Sequence, residues 1–137
     1  MHIETNFYKI AAYADVCHVT AYASWDEKVA ATYLKDWTRV CTTLYSNKKW
    51  AILIDKRDWH LHTPEAEEMI AREIQTTAVT KPSNWIFIIG DSAMKEWQTD
   101  KALPQEDKRE CRYFQTLDEG IHWLTTEGYE MKPADIR

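Results

Sequence analysis

Glycine is scarce in this chain: three residues in 137, none beside another. Phosphate cradles of the P-loop or dinucleotide type need clustered glycines, so neither can be written here. Cysteine is scarce as well. Cys17, Cys41 and Cys111 are odd in number and include no Cys-x-x-Cys spacing, which favours reduced thiols over a disulfide framework. Basic runs are missing. Lys48–Lys49 and Lys108–Arg109 are isolated pairs in a chain of net charge −5. A nucleic-acid surface needs a basic stripe to neutralise phosphates, and strong attachment to anionic lipid needs the same. Neither partner is expected. No apolar run approaches the roughly 20 residues of a membrane-spanning helix. The opening residues, Met1 to Asn6, have no basic start followed by an apolar stretch, so a secretory leader is not expected. These absences describe a cytoplasmic protein that meets a membrane, if at all, from the side.

Aromatic residues are abundant. Seven tryptophans and seven tyrosines stand in a chain that is 45% apolar and 28% charged. That mixture is ordinary for a globular domain, and the length suits one core. Tryptophan in excess also suits surfaces that meet apolar or amphipathic partners.

Residues 6–14 and 16–23 read as two β-runs joined at Asp15. Ser24 and Glu27 have the spacing of a capping box. The helix it opens runs to about Ser46, with Ala30, Leu34, Trp37, Cys41 and Leu44 on one face. Trp50 to Ile54 and Trp85 to Ile89 are continuous apolar runs, the pattern of strands buried on both faces. Asp55 to Thr63 reads as a loop. Thr63 and Pro64 open a second helix, as N-cap and first helical residue. Its inner face is Ala66, Ile70, Ile74 and Thr77 or Ala78. Asp91 or Ser92 caps a short helix carrying Met94 and Trp97. Residues 101–110 read as irregular, 111–115 as a last strand. Thr116 and Glu119 form a second capping box before a helix that Gly128 ends. The order β-β-α-β-α-β-α-β-α predicts an α/β fold: a mostly parallel sheet, an N-terminal antiparallel hairpin and about four helices. One domain is expected over 1–128, with a flexible tail over 129–137.

Three segments resemble a known family. They are Ala51 to Asp55, a strand ending in an acid; Thr63 to Ala66, opening the second helix; and Tyr113 to Leu124, an aromatic strand followed by acids and a Trp-Leu pair. With the element order, they resemble the STAS domain in its stand-alone SpoIIAA-like branch, over about residues 5–128. Regulatory members, the anti-sigma factor antagonists, carry a phosphorylated serine at the start of the second helix. Here that stretch reads His62, Thr63, Pro64, Glu65, so Thr63 is the candidate phospho-acceptor and also the helix cap. The stand-alone branch is associated, by analogy with CRAL-TRIO lipid-transfer domains, with apolar ligands and membrane surfaces.

In an open parallel sheet, ligands lie beyond the carboxyl ends of the strands. The loops 55–63 and 90–94 leave two such ends. If their strands are neighbours, Trp59, Leu61, Met94 and Trp97 wall a crevice for a small apolar or amphipathic ligand, with residues 101–110 as its gate. The same side chains can dip into a lipid interface. The bland alternative is that they cover the end of the sheet. His60 and His62, with Asp55 or Asp58 nearby, make a poor zinc set, because structural zinc takes three or four ligands at favourable spacing. They read as solvent-exposed. Asp91 and Ser92 lack the second glycine of a nucleophile elbow and read as caps. The acids Glu65, Glu67, Glu68 and Glu73 read as the solvated outside of the second helix. No catalytic residue, metal or cofactor is expected. The leading reading is a binder of a lipid-like ligand with transient membrane association. The alternative is a regulatory protein-interaction module that uses the second helix. Either is compatible with a homodimer.

Overall fold

The computed structural model describes residues 2–46, 48–76, 81–103 and 110–133. Its elements, in chain order, are β1 (His2–Glu4), β2 (Tyr8–Ala12), β3 (Val16–Ala21), β4 (Ala23–Trp25), α1 (Glu27–Leu44), β5 (Ala51–Asp55), β6 (Trp59–His62), α2 (Pro64–Thr76), β7 (Asn84–Ile88), α3 (Ala93–Ala102), β8 (Cys111–Phe114) and α4 (Leu117–Thr126). Six strands form one sheet in the order β1-β2-β3-β5-β7-β8. The β1–β2 and β2–β3 pairs are antiparallel, and the β3–β5, β5–β7 and β7–β8 pairs are parallel. The expected hairpin and parallel sheet are both present. The apolar runs at 51–55 and 84–88 are two inner strands, β5 and β7, where neighbours on both sides and helices on both faces exclude water.

Side chains alternate across each strand, so register divides them between two faces. Val19 lies beside Ile54, and Ile54 beside Phe87. These, with Ile52 and Trp85, face α1 and α2. On the opposite face, Leu53, Ile86 and Ile88 pack against α4. A Cβ added at Gly120 would stand 2.7 Å from Ile88 Cδ1, so α4 sits as close as a residue without a side chain allows. Gly128 ends the helix at φ +91°, a left-handed conformation that glycine adopts without strain.

Several sequence-based expectations change. The cap of α1 is Asp26, whose carboxylate accepts the Val29 amide at 3.0 Å. Ser24 does not cap it, because the chain there is paired as β4 with β6 in a small parallel sheet. The loop 55–63 therefore contains a strand. The box at Thr116 and Glu119 is formed in both directions. Residues 129–133, expected to be a flexible tail, are packed down. Tyr129 is buried and its hydroxyl meets Asn84 Oδ1 at 2.5 Å. The amide of Glu130 donates to Asp15, and Pro133 pairs with Tyr13. Burying one large ring secured by polar contacts offsets the entropy of ordering a few residues. Thr77 and Ala78, expected on the second helix, residues 134–137 of the expected tail and residues 104–109 of the expected gate lie outside the described residues.

Candidate functional site

A hollow lies between the α1–α2 face of the sheet and the helices that cover it. About 70 Å³ is open to the centre of a water-sized sphere, inside roughly 800 Å³ of space that includes solvent at its mouth. One water needs roughly 10–15 Å³ on such a measure, so the hollow is larger than a packing defect. Its floor is the sheet: Val19 and Ala21 of β3, Ile52 and Ile54 of β5, Trp85 and Phe87 of β7. Its walls come from Tyr33, Leu34 and Trp37 of α1, Ile70 and Ile74 of α2, and Trp25 and Trp59 of the small sheet. Four of the seven tryptophans therefore line it. Gln98 and Thr99 of α3, with Leu103, close a third side.

The hollow forms because β4 and β6, which follow β3 and β5, carry Trp25 and Trp59 past the carboxyl ends of those strands. Trp25 is fixed by its indole N–H, which donates to the carbonyls of Phe7 and Tyr22 at 3.1 Å each. It also packs on Tyr33, with ring centroids 4.9 Å apart. Rings this broad and stiff leave space between them that flexible aliphatic chains would fill.

One cation enters this apolar setting. Lys56 follows β5 and continues the alternation of Ile52 and Ile54. Its ammonium donates to Thr99 Oγ1 at 2.8 Å and lies 4.7 Å from the Trp59 ring centroid and 5.3 Å from that of Phe87. Removal from water pushes its pKa down to about 8. Its neighbours in sequence are neutralised otherwise. Asp55, buried, takes the Arg57 guanidinium at 2.9 and 2.6 Å. Glu67, which also lines the hollow, pairs with Lys101 at 3.3 Å. The acids of α2 are thus not all on a solvated outside face. Lys95 of α3 donates to the carbonyls of Lys56 and Arg57. It fastens the loop after β5 to the helix after β7.

Three nitrogens of the lining are buried without a hydrogen-bond partner among the described residues: Trp37 Nε1, Trp59 Nε1 and His62 Nδ1. Native interiors rarely leave such groups unpaired. His62 was expected to be a solvent-exposed loop residue. It is half-buried, with its ring centroid 4.5 Å from that of Trp59 and 5.4 Å from that of Trp25. Burial, helped by the Lys56 charge, pushes its pKa down to about 3, so the imidazole is neutral at ordinary pH. His60 is exposed.

The residues singled out from the sequence separate here. Trp59 is 1% exposed and lines the hollow. Leu61, Met94 and Trp97 are exposed, at 41%, 61% and 62%, and do not line it. The strands before loops 55–63 and 90–94 are neighbours, as the crevice idea required, but the aromatic space opens beneath the helices. Thr63 is half-buried and its hydroxyl accepts the Ala66 amide at 3.2 Å, so it caps α2. Ser92 caps α3 by accepting the Lys95 amide at 3.1 Å. Sequence reasoning missed Lys56. The signal was present: in the run Ile52, Ile54, Lys56 the inward alternation continues past the end of the apolar stretch.

Among solved structures, the chain is similar to an uncharacterized protein from the DUF3478 family with a SpoIIAA-like fold from Shewanella loihica PV-4. The TM-score is 0.63 at 14% identity, over 89% of this chain and 98% of that one. No family model matches the chain, and no curated protein matches it. Likeness at this identity speaks for architecture and leaves function to the site. The sheet order, the opening hairpin, the four helices among the described residues and this likeness agree: the chain has a SpoIIAA-like fold.

Proposed function

We propose that this protein binds a small apolar or amphipathic ligand in the hollow beneath α1, α2 and α3, without catalysing a reaction on it. The observation that carries the reading is the hollow itself, about 70 Å³ walled by Trp25, Trp37, Trp59 and Trp85. Each methylene of a ligand buried there contributes roughly 0.8 kcal/mol, so a short acyl chain or a single ring suffices for useful affinity. Met94 and Trp97 supply the membrane side of the proposal. They are exposed one helical turn apart on α3, the helix whose Gln98 and Thr99 close the hollow. A bilayer that took up those two side chains would lie next to the binding space.

The alternative, a regulatory module acting through α2, rests on Thr63, whose hydroxyl is already engaged as a cap. No feature of α2 gives it comparable support.

The test is mass spectrometry of an organic extract of gently purified protein, beside the variant Ala21→Leu. Ala21 lines the hollow, and the larger side chain fills part of it. The wild type is expected to yield a co-purifying small molecule that the variant lacks. Liposome flotation with Met94→Ser and Trp97→Ser tests the membrane part. A wild type that carries nothing extractable, binds no added apolar probe and stays off liposomes would refute the proposal.

A further inference from the structure

We infer that the ligand of the hollow is a monocarboxylate, bound tail-inward among the indoles with its carboxylate on the Lys56 ammonium. This rests on the reading that the hollow is a binding site and adds the chemistry of the polar end.

The inference starts from an imbalance of charge. An ammonium offers three donors. Lys56 uses one on Thr99 Oγ1, and no carboxylate among the described residues stands within 4.0 Å of its nitrogen. Glu67, the acid that shares the lining, is held by Lys101 at 3.3 Å. A cation drawn out of water is costly unless it is paired. The ring faces of Trp59 and Phe87 offset part of that cost, but two N–H groups of this half-buried side chain have no acceptor among the described residues.

A second observation points the same way. The partnerless nitrogens of two indoles in the lining, Trp37 Nε1 and Trp59 Nε1, can donate and cannot accept. With Lys56, the polar demand of the site is mainly for acceptors; the third partnerless nitrogen, Nδ1 of the neutral His62 imidazole, donates or accepts according to its tautomer. An ionised carboxylate is an acceptor group without a donor, and its bond to a cation is charge-assisted. An alcohol or amide brings a donor that, of the three partnerless nitrogens, only His62 Nδ1 could accept. An amine adds a second cation beside Lys56. A phosphate monoester brings close to two negative charges against one lysine, and Lys56 stands after a strand, not among the free amides of a helix N-terminus. One carboxylate matches both the charge and the donor count. The rest of the ligand is apolar because the floor and walls are.

The experiment is isothermal titration of the wild-type protein with hexanoate, hexanamide and hexylamine, three probes with one tail and different heads. Lys56→Met is titrated in parallel, with circular dichroism confirming its fold. Hexanoate is expected to bind roughly tenfold or more tighter than hexanamide, with hexylamine weakest. In Lys56→Met that preference disappears while hexanamide binding is kept. Equal affinity for hexanoate and hexanamide in the wild type overturns the carboxylate inference and leaves an apolar binding site standing. Absence of binding by all three probes overturns the binding site as well. The wild-type comparison decides the matter even if the variant does not fold.

Discussion

His62 gives a sharp test of how the aromatic hollow is built. The imidazole lies between two indoles with a partnerless Nδ1, and its folded pKa is pushed from 6.5 down to about 3. In the unfolded chain it titrates normally. A lowered histidine pKa means that the unfolded state binds the proton first, so stability is complete above pH 6.5 and drains as the pH falls toward 3. At pH 5 the unfolded imidazole is 1.5 pH units below its pKa, and the folded one is still neutral. At 1.36 kcal/mol per unit that is about 2 kcal/mol lost. Partial exposure of the ring trims this to about 1–2 kcal/mol. The perturbation is His62→Phe, which keeps a ring between the indoles and removes the titration. Urea unfolding is measured for both proteins at pH 7.5 and pH 5.0. The wild type is expected to lose about 1–2 kcal/mol more than the variant between the two conditions. Other groups, His18 among them, whose pKa is lowered by burial, contribute equally to both proteins and drop out of the difference. Equal losses would show that His62 is protonated as easily in the folded state as in water, and the buried aromatic arrangement would be wrong.

Other expectations follow from single contacts. Asp26→Ala should cost about 1 kcal/mol in thermal or urea unfolding, because the Val29 amide loses its acceptor, whereas Ser24→Ala should change little. The reverse order would restore Ser24 as the cap. Gly120→Ala should destabilise by about 1–3 kcal/mol, since the added methyl meets Ile88 between helix and sheet; a neutral result would mean that α4 rides higher on the sheet. Hexanoate affinity should be flat between about pH 6 and 7, where the carboxylate is ionised and Lys56 protonated, and fall as the pH rises through about 8, where Lys56 loses its proton. Glu67, Cys111 and Lys95 are the other charged or titratable groups near that ammonium, and Lys56→Met should remove the alkaline fall.

The main sheet was legible because its central strands are apolar without alternation and its helices carry clear caps and stripes. Thr63, Ser92 and Thr116 cap helices as their spacing suggested. What escaped was decided by pairing between distant segments. Ser24 and Asp26 are both good caps in isolation, and the β4–β6 pairing chose between them. On β6 Trp59 is buried and Leu61 exposed although alternation puts them on one face, and the β4–β6 register shifts between Ala23 and Trp25. Met94 and Trp97 are apolar at a helical spacing that usually means core, yet α3 turns them to solvent, and no local signal gives a helix its rotation. Tyr129 follows a helix-ending glycine, where a tail is the ordinary reading. Its anchor, Asn84, is 45 residues away. Lys56 is hard to place from sequence because charge normally marks the end of an inward face. Here one long side chain keeps its ammonium against ring faces.

The most direct test of a ligand site among the indoles is a proton–nitrogen correlation spectrum of the wild-type protein titrated with hexanoate. Each tryptophan gives one indole N–H signal, so the seven residues report separately. The signals of Trp37 and Trp59 are expected to move progressively and saturably, while those of Trp97 and Trp123, which lie outside the hollow, stay in place. A spectrum in which no indole responds, or in which Trp97 alone does, would contradict a binding space beneath the helices.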